Sequence, residues 1–318
     1  MRVWQQSMIF LARNKGVKTC MQNRATMSEL ARRFVGGKDV SEAVEKSQAL
    51  KSQGRTASLF YLGEYVEDLS VINQTVSALK AIIRNLADSN LDVFICVDPT
   101  QIGYQIDEET CRHHAFEIST EIKKVTKDTD GVSKNFLMLD MEDSSVTQAT
   151  ISLYEALTEA SLPAAITLQA YLFRTESDLQ RIVRNGGAIR LVKGAFAERK
   201  EVALTDRSAI DANFMKLAAL MLSDEARRRG SYPIFATHDD RLIDKIIGIA
   251  DRQGWQKEEY EFEMLYGVRG DLQEKLVQRG EQLRLYLPFG TDWWPYAVRR
   301  VGESPKNARF LLRSLFAA

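Results

Sequence analysis

The sequence predicts an α/β protein, a closed (βα)8 barrel of the TIM type with N-terminal packing helices and a C-terminal capping helix, and three observations carry that expectation. Short apolar runs recur down the chain, each followed by a stretch with apolar residues at helical spacing. From Ala57 onward the unit repeats about every thirty residues, room for one strand, one helix and their turns. Eight such units are present and no G-x-G-x-x-G follows the first run, which favours a closed barrel over an open dinucleotide-binding sheet.

Before the first unit, Leu30, Ala31 and Phe34, then Val40, Ala43, Val44, Ser47 and Leu50, recur at helical spacing on either side of Gly36 and Gly37. Two packing helices are expected there, so residues 1–56 form an N-terminal arm and residues 57–318 the barrel domain. The expected strands are 58–62, 92–97, 136–141, 165–170, 188–192, 233–237, 260–265 and 283–287. Between them lie amphipathic patterns such as Leu69, Ile72, Val76, Leu79, Ile83 and Leu86, or Phe214, Leu217, Ala218 and Met221. The last run, Leu285, Leu287 and Phe289, is expected to break at Pro288 and Gly290. A helix then starts with Pro295 in its first turn. On that helix Tyr296, Arg299, Arg300 and Glu303 share one stripe, with an Arg299–Glu303 surface pair as the simplest reading and an anion between the arginines as the alternative.

Composition narrows the function classes. Lys plus Arg and Asp plus Glu are 43 each among 318 residues, and no basic stripe interleaves with aromatics, so nucleic acid is not an expected partner. The apolar run at residues 8–12 is too short for a signal or membrane segment. Cys20, Cys96 and Cys111 lack close spacing, which fits a reducing, cytoplasmic location. Adjacent His113 and His114 face different sides of a helix, so no metal site is expected.

If the barrel closes, function sits at the C-terminal ends of its strands. Those ends carry Glu64, Asp98, Asp140 with Glu142, Gln169, Arg190 with Lys193, Thr237 with His238, Leu265 with Tyr266, and Tyr286. Each alone reads as a cap or a rim ion pair. Polar groups at nearly every end, next to apolar strands, are costly to bury unless paired or liganded, and core packing does not explain them together.

Several separated fragments, LGE (62–64), LDMED (139–143), LQAY (168–171), IRLVKGAF (189–196), FATHD (235–239), FEMLYG (262–267) and YLPFG (286–290), followed by WWPYAVRRVGE, stand in order along the chain. From about Leu59 to the C-terminus the sequence resembles the proline dehydrogenases, flavoenzymes that oxidise L-proline to pyrroline-5-carboxylate. The resemblance implies FAD as cofactor and transfer of hydride from the carbon next to nitrogen to the flavin N5. It implies that Arg190 contacts the N5 region, that Lys193, Gly194 and Ala195 hold the pyrophosphate, and that Met141, Gln169, Thr237 and His238 line the cofactor. Asp140 is then an orienting carboxylate in the site, and Arg299 and Arg300 clamp the substrate carboxylate, with Glu303 on their stripe. Glu64 pairs with Arg299 to gate the mouth, and Tyr286 and Leu265 pack on the substrate ring. A quinone or other acceptor takes the electrons. The terminal helix around Phe310, Leu311 and Phe316 caps the barrel, with peripheral membrane contact as the alternative.

The chain also departs from that pattern. Asp98 stands where the family carries a lysine for the substrate carboxylate, Phe60 where it carries an aspartate, Glu263 for a glutamine and Phe196 for a tyrosine. With ~5 Å between Asp98 and a substrate carboxylate, repulsion at an effective dielectric near 20 is roughly 3 kcal/mol, more than tenfold in affinity. The alternative is that Pro99 turns the loop so that Asp98 pairs with Arg299 or Arg300 or faces water. Three readings follow: proline oxidation, a divergent flavoenzyme for another amine or an N-N compound in a specialised biosynthetic pathway, and a non-catalytic barrel used as a binding partner.

Overall fold

After Gly36 and Gly37 the Asp39 carboxylate accepts the Glu42 N–H at 3.0 Å and starts α1 (Val40–Lys51). Its buried stripe of Ala43, Val44, Ser47 and Leu50 packs against the first strand, the last strand and the next helix. The structure, a computed structural model, describes residues 33–63, 66–126 and 134–303, and of residues 298, 299 and 301–303 the backbone alone. The first expected helix of the arm and the stretch around Phe310 therefore fall largely or wholly outside the described residues.

Eight parallel strands close on themselves in sequence order: β1 (Thr56–Tyr61), β2 (Phe94–Val97), β3 (Phe136–Leu139), β4 (Ala164–Gln169), β5 (Ala188–Val192), β6 (Tyr232–Ala236), β7 (Glu261–Leu265) and β8 (Leu283–Phe289). Between them run α2 (Leu69–Asp88), α3 (Glu108–Val125), α4 (Thr147–Glu159), α5 (Thr175–Arg184), α6 (Arg207–Met221), α7 (Asp224–Arg228), α8 (Asp240–Arg252) and α9 (Gly270–Gln278). After β8 comes α10 (Trp293–Glu303). The barrel is the expected one, with strand ends shifted by one or two residues. Asp68, Asp107, Asp206 and Asp239 cap the helices they precede, so the loops leaving the strands end on the donor-satisfying residues such helices need.

Alternation along the strands sorts side chains into two cores. Leu59, Ile95, Leu137, Ile166, Ile189 and Leu285 point outward under the helices. Phe60, Cys96, Met138, Ala165, Ile234 and their neighbours fill the barrel and join Trp294 and Tyr296 of α10, which places that helix over the C-terminal mouth. At the opposite, N-terminal end the buried Arg284 bonds Glu261 at 2.6 Å and Asp92 at 2.8 Å, with its guanidinium 4.2 Å from the Phe94 ring centre.

The expected break at Pro288 does not occur. β8 runs on to Phe289, pairing Phe60 with Pro288 and Tyr61 with Phe289. Residue 288 aligns its backbone groups toward β7, which has already ended at Leu265, so the missing proline N–H has no ladder partner to lose. The Pro288 carbonyl accepts the Gly36 N–H at 2.7 Å instead.

Candidate active site

Inside the barrel, β5 aims Arg190 at the axis, where it is buried among groups from five other strands. Its guanidinium pairs with Asp140, bonds Glu263 at 3.0 Å and donates from Nε to the Thr167 hydroxyl at 3.0 Å. Thr167 in turn donates to Asp140 at 3.3 Å, and the Tyr286 hydroxyl donates to the other Asp140 oxygen at 2.9 Å. Ser58 donates to the second oxygen of Glu263. Burial works against the charge of Arg190, yet the Glu263 carboxylate beside it keeps its pKa above the usual guanidinium value. The Tyr286 hydroxyl is pushed well up by burial first, with the Asp98 carboxylate adding to it, so it stays a donor. Phe60 stacks on the Tyr286 ring, with centres 5.6 Å apart.

Above this layer the strand ends converge. The Gln169 amide donates to the Met141 and Glu142 carbonyls, both at 3.2 Å, while its buried Oε1 has no protein partner. Lys193 lies against Asp211 at 2.5 Å and Asp239 at 3.5 Å. Gly194 has φ +110, and a Cβ there would meet the Tyr171 ring at 2.3 Å. Ala195 is exposed beside it. Thr237 is buried and accepts the Asp239 N–H at 3.2 Å. His238 accepts the Leu265 N–H on Nε2 at 3.0 Å, which leaves its proton on Nδ1. Its pKa falls to about 4 because of burial first and the Arg300 and Arg269 charges next, so the ring is neutral near pH 7. Arg300 sits over the Tyr296 ring at 5.1 Å.

The structure thus gathers Asp140, Arg190, Tyr286, Gln169, Lys193, Gly194, Thr237, His238, Leu265 and Arg300 at one end of the barrel. Asp98 follows β2 on the same rim, where Pro99–Gln101 turns the chain. Glu64 and the side chains of Arg299 and Glu303 lie outside the described residues. One placement is corrected: Arg190 and Tyr286 are mid-strand residues of the barrel interior rather than strand-end residues. Thr167 and Ser58 carry no motif in the sequence, although each lies two residues from an inward-facing position already in view (Gln169 and Phe60) and shares its face, and Cys96 reads there only as an unpaired thiol. Asp211, on α6, carries no such signal.

Comparison with known sequences decides the family. The family described as Proline dehydrogenase matches residues 43–313. The chain belongs to the proline dehydrogenase family. It is 33% identical over 307 residues to "Proline dehydrogenase 1" of Bacillus subtilis subsp. natto, covering 96% of this chain and 97% of that one. It is 31% identical to the proline dehydrogenase of Deinococcus radiodurans, covering 92% of each chain. Among solved structures it is similar in fold to proline utilization A (PutA) from Bdellovibrio bacteriovorus inactivated by N-propargylglycine, with a TM-score of 0.77 at 20% identity over 96% of this chain. It spans 37% of that PutA chain. As a proline dehydrogenase it is an oxidoreductase acting on CH–NH groups, in a family that depends on flavin. The residues present suit a flavin: the Gln169 carbonyl oxygen awaits a donor, and the side-chain-free Gly194 leaves backbone open to close approach beside a cation.

Proposed function

We propose that the protein oxidises the C–N bond of L-proline, or of a close analogue, with FAD held along the ends of β4, β5 and β6. Bound there, the flavin supplies the two-electron acceptor for that bond. Lys193, Gly194 and Ala195 hold its phosphates, Met141, Gln169, Thr237 and His238 its ring system, and Arg190 offers a fixed positive charge beside it. The single observation that supports this reading best is the Arg190–Asp140–Tyr286 cluster, buried below a mouth covered by α10, in a chain of this family.

The protein's own work is positional. Arg299 and Arg300 on α10 receive the substrate carboxylate, Tyr286 and Leu265 flank the ring, and Phe60 holds Tyr286 in its rotamer. Asp140 orients the Tyr286 hydroxyl and keeps Arg190 in place. Glu64 is proposed to pair with Arg299 and gate entry, with Glu303 on the arginine stripe as a further substrate-site residue. A quinone or similar acceptor reoxidises the enzyme, and no helix among the described residues is long and apolar enough to cross a membrane. The free Cys96 and Cys111 fit a cytoplasmic setting. Residues 1–56 remain proposed as an arm and 57–318 as the catalytic unit.

Asp98 favours a second reading. Its charge reaches Tyr286 at the substrate end of the pocket, which suits an amine substrate without a carboxylate at that position. Anaerobic bleaching of the flavin absorbance separates the two. Bleaching by L-proline at modest concentration supports the first, and a yellow protein that ignores proline yet bleaches with another amine supports the second. In the latter case Asp98→Lys is expected to raise proline turnover more than tenfold. A colourless protein that takes up no FAD would sink both.

A further inference from the structure

The polar cluster in the barrel holds more negative charge than it needs. One guanidinium, Arg190, faces two carboxylates, Asp140 and Glu263, and among the described residues it is the one cation bonded to either. Asp140 alone would neutralise it. Glu263 is nevertheless almost wholly buried at 2% exposure, with Arg190 on one oxygen and the Ser58 hydroxyl on the other. Both oxygens are engaged, one of them by the guanidinium. A surplus charge in the middle of a barrel is costly unless the site uses it.

Position limits what the use is. Glu263 lies on β7 in the barrel interior, where one oxygen is taken by Arg190 and the other by Ser58. Its charge therefore acts through Arg190. It holds the guanidinium in one orientation, with Thr167 and Asp140 on its other edges, and offsets its positive field.

We propose that Glu263 is a positioning residue that tunes the flavin site: it fixes Arg190 and, by over-neutralising it, holds the reduction potential of the bound flavin below the value that Arg190 and Asp140 alone would set. The inference rests on the FAD reading above. It follows because reduction adds negative charge to the flavin, which a bare guanidinium favours and a second carboxylate opposes.

The test measures the midpoint potential of the bound flavin, by dye-equilibrated reduction, in wild type, Glu263→Gln, Glu263→Asp and Ser58→Ala. Gln keeps the shape and removes the charge, so its flavin is expected to be easier to reduce. The reduced-to-oxidised ratio at a fixed potential should rise about tenfold, a shift of ~30 mV for a two-electron couple. Asp keeps the charge, and Ser58→Ala removes only a neutral partner, so both should stay close to wild type. An unchanged potential in Glu263→Gln overturns the proposal, as does an equal rise in Glu263→Gln and Ser58→Ala, which would make hydrogen bonding rather than charge the cause. Loss of flavin from Glu263→Gln with retention in Glu263→Asp also overturns it, because the carboxylate would then be needed to build the site rather than to tune it. A wild-type protein that binds no flavin at all would instead defeat the FAD reading on which the proposal stands.

Discussion

Tyr286 shows how one side chain is made useful by its neighbours. Phe60 holds its ring, Arg190 lies 5.4 Å from its centre, and Asp140 takes its hydroxyl hydrogen at 2.9 Å. A hydrogen bond to a charged acceptor contributes about 1.5–3 kcal/mol. Tyr286→Phe should therefore lower kcat/KM for the reducing substrate about tenfold or more while flavin content, read from the visible spectrum, stays at the wild-type value. His238 carries a pH dependence whose sign is set by its environment. An isolated imidazole titrates at 6.5, and this one near 4 because it is buried and faces Arg300 and Arg269. Between those values the unfolded chain takes up a proton that the native state refuses, so stability is lost as pH falls from about 6.5 to about 4. With allowance for partial exposure the loss is ~2 kcal/mol. His238→Asn, measured by thermal melting, should lose less stability than wild type over that window; an identical decline in both proteins would contradict the assignment. Most of this residue-scale detail was hidden in the sequence. Asp140, Arg190 and Tyr286 were in view as polar groups near strand ends, but that Thr167 bridges two of them depends on the register between β3, β4 and β5.

At the scale of elements, the loop after β5 and the strand before it do different work. β5 supplies Arg190 to the interior, and the following Lys193–Gly194 turn stays at the rim, folded against the Tyr171 ring from the loop after β4. Gly194→Ala meets both a φ of +110 and a ring 2.3 Å from the new methyl. The turn must shift, at ~1–3 kcal/mol of strain. Flavin occupancy is expected to fall severalfold with the far-ultraviolet circular dichroism of the barrel retained; full occupancy would show that the turn is not part of the cofactor site. α10 makes the complementary case. Its Trp294 and Tyr296 belong to the barrel's inner core, so a stripe that reads on paper as a surface pattern is partly a lid seal. β8 continued through Pro288 because its outer neighbour had already ended, a fact about pairing that local proline rules do not contain.

Across the whole molecule, stability and chemistry occupy opposite ends of the barrel. The floor is an ion cluster in which Arg284, 1% exposed, bonds Glu261, Asp92 and the Ala57 carbonyl while Tyr232 donates to Glu261 at 3.1 Å. Arg284→Met strands buried carboxylates and is expected to cost about 3–5 kcal/mol in urea unfolding. Because the floor lies away from the mouth, flavin binding by the folded variant should persist; a loss of flavin at constant stability would mean that the two ends are coupled.

The order of eight strand–helix units, the closed barrel they imply and the end of it that carries function were legible in the chain itself, because period and polarity are local properties. So were the ordered fragments that mark the family. Tertiary structure alone decided which charged groups meet: that Arg190 is shared by Asp140 and Glu263, that Thr167 accepts from Arg190 while Ser58 donates to Glu263, that Lys193 lies between Asp211 and Asp239, and that Phe60 stacks on Tyr286. Those contacts depend on the register and closure of strands up to a whole barrel apart, and no short stretch of sequence encodes a distance across the axis.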